Sequence, residues 1–330
     1  MFYSCSVLAK SEAETLKSGI SLSQTMYRDS AIIVLRGELG AGKTTFVQGF
    51  AEGLGIHQRI TSPTYALEQR YGDNLLSHID LYRLTSSQAS DFFRTLDPFP
   101  GIRVIEWSDR LSDIEADIEI DITEQTEGRK IQVHFKDIPV PSDDEITQWM
   151  KTVGLPLHIQ KHVKKVAEIC ALIADELLLQ GRLVRKDALH AAALTHDLLR
   201  FVDFASLTGD AMYSPTPEET ATWIRLKEMY GTPHEAAVEK FLIQNGFPEI
   251  GRMTRSHRGY DPNALPQTIE QYALAYADKR ALIDTTVTLD QRFDDFIVRY
   301  GNGKESDNAQ AWRREMKRIE SLLFPEGVPF

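Results

Sequence analysis

Two hydrophobic rhythms divide the chain. Up to about residue 135, short apolar runs recur: Ile32-Ile33-Val34-Leu35, Leu75 to Ile79, and Ile102-Arg103-Val104-Ile105. Each has strand length and is bounded by polar or turn-forming residues. Segments 114–122 and 130–135 alternate with a period of two around Thr126-Glu127-Gly128, which is a hairpin signal. Residues 9–29 carry Leu16, Ile20 and Leu22 among polar positions and read as a helix. Residues 45–54 set Phe46, Val47 and Phe50 on one helical face. In Ile60 to Leu67, Ser62-Pro63 marks a turn and the residues after it alternate like a strand.

Past residue 145 the strand rhythm nearly vanishes. His162, Val166, Ile169, Ile173 and Leu177 fall at helical spacing, with His158 one turn before His162. Residues 188–199 form a small-residue apolar helix that contains His196-Asp197. In the tail, 301–323, Trp312, Met316, Ile319 and Leu322 share a face that packs back on this half. The break between the rhythms is Lys136 to Glu145, with two prolines and an acidic cluster, and Ser142-x-x-Glu145 has the spacing of a capping box. The pattern therefore predicts an α/β domain over 1–140 and an all-α domain over 141–330.

Composition narrows this little. The chain has 330 residues, 42% hydrophobic and 26% charged, which suits globular domains. Residues 1–140 carry 14 basic and 20 acidic side chains, and the remainder 23 and 28. Neither half is a basic nucleic-acid platform by bulk charge. Two distant cysteines, Cys5 and Cys170, imply no disulfide framework and fit a reducing cytoplasm. No run reaches the length of a membrane span, and no membrane partner is expected.

Chemistry changes the picture more. The strand at 31–36 runs into Gly37-Glu38-Leu39-Gly40-Ala41-Gly42-Lys43-Thr44-Thr45, the phosphate-binding loop pattern. Its glycines let backbone N–H groups turn toward phosphate oxygens, and the next helix offers its positive end to the same anion. Lys43 can reach the β/γ-phosphates and the Thr44 hydroxyl can hold Mg²⁺. Two later strands end in acids, Asp80 and Glu106, where a nucleotide enzyme needs carboxylates for a metal and a water. Trp107 offers a flat face, which packing in a core would equally use.

Four motifs in order, the loop at 37–45, Thr61-Ser62-Pro63-Thr64-Tyr65, His78-Ile79-Asp80-Leu81-Tyr82-Arg83-Leu84 and Ile105-Glu106-Trp107, make residues 1–137 resemble the TsaE family of tRNA threonylcarbamoyladenosine synthesis. The resemblance implies a mixed sheet with helices and an ATPase that binds ATP/ADP with Mg²⁺. It implies partner subunits of the modification machinery and an indirect link to tRNA. It assigns Lys43 and Thr44 to phosphate and Mg²⁺, Asp80 and Glu106 to the metal and to water activation, Thr64 to a switch-like loop and Trp107 to the adenine. Ser108 stands where the family usually has proline, which bears on partner contacts.

In the second half, His162, His196, Asp197, His234, His257 and Asp278 are spread over several helices. Buried imidazole and carboxylate are costly unless paired or metal-bound, and this donor mix suits Fe, Mn, Co, Ni, Zn or Mg. The order resembles the HD-domain superfamily of metal-dependent phosphohydrolases. By that resemblance, His162, His196, Asp197 and Asp278 bind one divalent metal, His234 and His257 complete a second site, and Asp197 is catalytic. Arg200 and Arg258 are candidate phosphate anchors. The resulting expectation is a bifunctional fusion of an ATPase and a phosphohydrolase acting on a nucleotide or other phosphoester. Two other readings stay open: an ATP-regulated nucleotide phosphohydrolase, or an ATPase whose second domain only binds or assembles.

Overall fold

A computed structural model describes residues 3–112, 114–204, 207, 212–258, 264–300 and 303–330. The chain separates into two compact units. The first holds residues 1–138 and 176–185, the second 139–175 and 186–330. A single division at 140 does not anticipate the grouping of 176–185 with the first unit.

The first unit is a seven-stranded mixed sheet with helices on both faces. Its elements are β1 (Tyr3–Ala9), α1 (Glu12–Ser23), β2 (Ala31–Arg36), α2 (Lys43–Gly53), β3 (Glu68–Tyr71), β4 (Leu76–Asp80), α3 (Ser86–Arg94), β5 (Ile102–Glu106), β6 (Ile118–Gln125) and β7 (Gly128–Phe135). The strand order is β1-β7-β6-β2-β5-β4-β3. β6, β2, β5 and β4 run parallel at the centre, β7 and β3 run antiparallel to them, and β1, antiparallel to β7, shares the central direction. The central strands are apolar on both faces because helices cover both. Ile33, Leu35, Val104 and Ile120 pack with Phe46, Val47 and Phe50 of α2 on one face. Ile79 and Ile105 pack with Ala89 of α3 on the other.

Two expectations change here. The helix expected over 9–29 is shorter, and β1 precedes it. In β1, Cys5, Val7 and Ala9 are buried while Ser4, Ser6 and Leu8 are exposed, an alternation that small side chains make faint. Residues 60–67 form no strand; pairing begins at Glu68, opposite Ile79. Within that loop Leu67 N donates to Pro63 O, and the hydroxyls of Ser62 and Thr64 donate to Asp80 Oδ2 at 2.7 and 2.6 Å, so the alternating residues serve a turn.

The second unit is helical apart from a two-residue ladder, β8 (Ala281–Leu282) with β9 (Thr285–Thr286). Its helices are α4 (Asp143–Thr152), α5 (Leu157–Leu179), α6 (Lys186–Thr195), α7 (Pro217–Tyr230), α8 (His234–Gln244), α9 (Pro248–Arg255), α10 (Ile269–Arg280), α11 (Leu289–Tyr300) and α12 (Asp307–Leu323). From Glu176 onward α5 belongs to the first unit. The capping box opens α4: Ser142 N donates to Glu145 Oε2 at 2.8 Å and Glu145 N donates to Ser142 Oγ at 3.3 Å. Trp223 anchors the core, stacked on Phe201 and donating its indole N–H to Val153 O at 3.0 Å. α6, α9 and α10 pack against one another. The tail helix begins at Asp307, and residues 301–302 lie outside the described residues. Its buried face holds Met316, Ile319 and Leu323, whereas Leu322 is exposed; one residue of helical phase separates the two leucines.

Candidate functional site

The chain presents two separate clusters of chemistry, one in each unit. In the first, β2 ends at Arg36 and α2 starts at Lys43, so residues 37–42 form the loop between them. Gly42 caps α2 with φ 98°, a left-handed conformation that glycine adopts without the penalty a side chain brings. The turn sets the helix N-terminus and the Lys43 side chain at the loop mouth. The Lys43 ammonium donates to Gly37 O at 2.7 Å and Glu38 O at 2.9 Å. Burial holds its pKa below the ordinary lysine value, against the opposing pull of Glu106 and Asp80. The Trp107 ring lies over this ammonium, 4.1 Å from centroid to Nζ, at the phosphate end of the loop, and it packs against Tyr82.

Asp80 and Glu106 end β4 and β5, which are paired in parallel with these two residues opposite each other. Parallel pairing thus brings two acids 26 residues apart in sequence to one sheet edge beside the loop. Thr44 donates its hydroxyl to Glu106 Oε1 at 3.0 Å. Asp80 Oδ1 accepts from Tyr82 N at 2.9 Å, while Oδ2 takes the Ser62 and Thr64 hydroxyls. Sequence reasoning left His78 without a role. It is fully buried, with Nε2 2.9 Å from Glu106 Oε1. Ser62 was quoted only as part of a motif, yet it shares the Asp80 oxygen with Thr64.

The second cluster lies in the helical unit. His162 comes from α5, His196 and Asp197 from the turn just past α6, His234 from the start of α8, His257 from just past α9 and Asp278 from α10. His196 and Asp197 stand in the turn just beyond α6, not inside a helix running to 199, and His196 N still donates to Ala192 O at 2.9 Å. His162 Nε2 lies 2.9 Å from Asp278 Oδ1 and 3.9 Å from Asp197 Oδ2. His196 Nε2 lies 3.8 Å from Asp278 Oδ1 and 3.9 Å from Asp197 Oδ2. The other Asp197 oxygen, Oδ1, lies 3.0 Å from His234 Nε2 and 3.8 Å from His257 Nε2. The Asp197 carboxylate thus faces two different pairs of imidazole nitrogens with its two oxygens.

These residues fit divalent metals. Neighbouring ligands at about 2.1 Å from an ion stand about 3 Å apart, close to the spacings here. His196 and His257 each point Nδ1 at a backbone carbonyl, Ala193 O at 2.8 Å and Thr254 O at 2.7 Å. A proton on Nδ1 leaves the Nε2 lone pair facing inward. His196 Nε2 is buried with no hydrogen-bond partner among the described residues, as an unbound ligand nitrogen would be. His234 Nδ1 lies 2.6 Å from Asp203 Oδ2, and its backbone N–H donates to Asp203 Oδ1 at 3.1 Å. Asp203, partly exposed, and the buried Glu235, both beside His234, were missed by sequence reasoning.

The charges are strongly coupled. Burial opposes ionisation of Asp197, but His196, His234 and Arg200 hold it well below the usual carboxylate range. Asp278 is likewise held low, against burial, by Lys279, His162 and His196. Burial would lower His234, yet its bonds to Asp197 and Asp203 raise it to about 9. His257 is pushed well down by burial and by the neighbouring His196 and His234. Arg200 NH1 lies 2.8 Å from His234 Nδ1 and keeps 40% of its side chain exposed, so the guanidinium reaches from the cluster to solvent.

A strand, a glycine-rich loop and a helix, with Lys43 and Thr44 beside acids on neighbouring parallel strands, place the first unit in the P-loop class. The model of "Threonylcarbamoyl adenosine biosynthesis protein TsaE" matches residues 9–131, and that of the HD domain matches residues 159–282. Relatives that carry the name tRNA threonylcarbamoyladenosine biosynthesis protein TsaE match the same part of the chain. The one from Nostoc sp. is 42% identical over 29% of this chain and 64% of its own length. That from Aquifex aeolicus is 35% identical over 39% of this chain and 96% of its own, and that from Treponema pallidum 39% identical over 32% and 79%. The chain belongs to the TsaE family, and these relatives match only its first part. Among solved structures it is similar to YdiB from Bacillus subtilis, at 27% identity over 41% of this chain and 87% of that one, with a TM-score of 0.32. No helix of the described residues is long and apolar enough to cross a membrane.

Proposed function

We propose that the chain joins two hydrolytic centres, an ATPase for tRNA threonylcarbamoyladenosine synthesis and a metal-dependent phosphohydrolase. The observation that carries the first is the meeting of Lys43, Thr44, Asp80 and Glu106 at one sheet edge. In this reading the backbone of residues 37–45 and Lys43 hold the β- and γ-phosphates of ATP. Thr44, Asp80 and Glu106 are the residues that would hold Mg²⁺, and Glu106 orients the attacking water. Trp107 shields the Lys43 ammonium from solvent. Thr64 and Ser62 tie the loop at 61–67 to Asp80, so this loop senses what Asp80 binds. The relatives' names support a place in tRNA threonylcarbamoyladenosine biosynthesis; the reading sets the chain beside other subunits of that machinery, in the cytoplasm, with tRNA as the indirect target.

The split allegiance of the two Asp197 oxygens carries the second reading. His162, His196, Asp197 and Asp278 would hold one metal; His234 and His257, with Asp197 between the sites, would hold another. Divalent metals bound there supply a nucleophile from water and neutralise charge on a phosphate. Asp203 fixes the ring of His234, and Arg200 offers a fork for a phosphate of a nucleotide or other phosphoester.

Two assays test the halves. The gene restores the tRNA modification in cells lacking their own TsaE, and Lys43→Ala abolishes the rescue. The full chain turns over members of a phosphoester panel with Mn²⁺, Fe²⁺ or Mg²⁺, and Asp197→Ala abolishes that. Absence of any turnover despite two bound metals per chain would leave the helical unit a binding module.

A further inference from the structure

We infer that His78 is a positioning residue that aims Glu106 for ATP hydrolysis, an assignment that rests on the ATPase reading above. His78 lies two residues before Asp80 on β4, so the two side chains share a sheet face. On β5 the register sets His78 opposite Val104 and Asp80 opposite Glu106. Glu106 is therefore the diagonal neighbour of His78 on that face, within reach of a long side chain. The same face is covered by α2, whose first turn supplies Thr44. Glu106 Oε1 is gripped from two sides, by His78 Nε2 at 2.9 Å and by the Thr44 hydroxyl at 3.0 Å. Among the described residues no hydrogen bond reaches Oε2. One oxygen is anchored and the other is left for water or metal.

The imidazole is specialised for this contact. His78 is fully buried, and its Nδ1 has no hydrogen-bond partner among the described residues. A proton on Nδ1 would be a buried donor without an acceptor. The arrangement that avoids this puts the proton on Nε2, where it is donated to Glu106. An imidazole that leaves one nitrogen unpaired is a poor filler for a packed sheet face, and the contact it makes is to a carboxylate at the loop. Without His78, Glu106 keeps its place in the strand but loses one of its two tethers, and its carboxylate can rotate about the Thr44 bond.

The test uses the full chain with His78→Gln, His78→Asn and His78→Phe. Gln carries an N–H donor about as far from the backbone as Nε2; Asn falls short; Phe fills the space without a donor. Affinity for a fluorescent ATP analogue without Mg²⁺ reads loop binding alone. Steady-state ATP turnover and its Mg²⁺ half-saturation read Glu106. Expected for Asn and Phe is metal-free nucleotide affinity within about 2-fold of wild type, with turnover down or Mg²⁺ half-saturation up by about 10–100-fold, the range seen on removing partners that orient ligands. Gln recovers most of that loss. Equal turnover in all four proteins, or Gln no better than Asn, overturns the assignment, and so does a parallel loss of metal-free nucleotide binding. A wild-type protein that binds no ATP overturns the ATPase reading itself and the His78 role with it, a result visible before any substitution is made.

Discussion

Arg185 offers a sharp test of what holds the first unit together. Its guanidinium meets Asp137 in a two-pronged pair, NH1 to Oδ1 at 2.6 Å and NH2 to Oδ2 at 2.9 Å. Nε donates to Thr25 O at 2.9 Å, and the guanidinium lies 4.1 Å over the Phe135 ring. The two side chains are only 2% and 0% exposed. Around them, Leu183 N donates to Ser21 Oγ at 2.8 Å, and Ser18 Oγ donates to Gly181 O at 3.0 Å. Gly181, Leu183 and Arg185 are thus tied into the first unit. Arg185→Ala strands a buried carboxylate and removes a donor from Thr25 O. Breaking one side of such a pair costs about 3–5 kcal/mol. For a unit of this size that is about 6–20 °C in Tm. Replacing both partners, Arg185→Met with Asp137→Leu, removes the stranded charge and recovers most of the loss. Hydrogen exchange read by peptide is the assay, because it separates the units. Protection falls in peptides from β1, β7 and α1, while peptides from α8 to α10 keep theirs. A single variant within about 1 kcal/mol of wild type, or a double variant no better than the single, would refute the reasoning.

Two further outcomes follow from packing and charge. A Cβ at Gly49 would stand 2.0 Å from Leu16 O, so Gly49→Ala must push α1 away from α2; the expected cost is about 1–3 kcal/mol, a fall of roughly 2–12 °C in the melting of the first unit, and unchanged melting would contradict the close approach. His234 is raised to about 9 from an unfolded value of 6.5, so its contribution to the metal-free protein is full below pH 6.5 and is lost as pH rises through 9. Metal binding requires the neutral ring, so titration with Mn²⁺ at pH 7.5 releases about one proton from this group, and the release shrinks above pH 9. Calorimetry in buffers of different ionisation enthalpy measures it; a proton count that does not change with pH would contradict the coupling.

The parts of the account that were legible in the sequence are those whose chemistry is local. Gly37 to Thr45 needs nothing distant to be recognised. Asp80 and Glu106 were readable because each ends an apolar run, and a parallel sheet brings such ends together. The histidines were readable as a set because so many imidazoles on apolar helices need a common reason. What stayed hidden depends on distance or on weak contrast. β1 was missed because Cys5, Val7 and Ala9 are too small to announce a face. The loop at 60–67 resembled a strand because Ser62 and Thr64 alternate, yet their hydroxyls are spent on Asp80. Helical periodicity runs unbroken through α5, so nothing marks Glu176 as the place where its environment changes. Asp203 has no motif; only the fold brings it to His234. His78 lay in plain view within a motif, but its link to Glu106 exists only through sheet register.

The central claim is that two independent hydrolytic sites share this chain. Its most direct test measures ATP hydrolysis and phosphoester hydrolysis side by side in the full-length, Mn²⁺-loaded protein, for wild type, Lys43→Ala and Asp197→Ala. The account predicts a reciprocal pattern: Lys43→Ala loses ATP turnover and keeps phosphoester turnover, and Asp197→Ala does the reverse. Loss of both activities together in either correctly folded variant would contradict it.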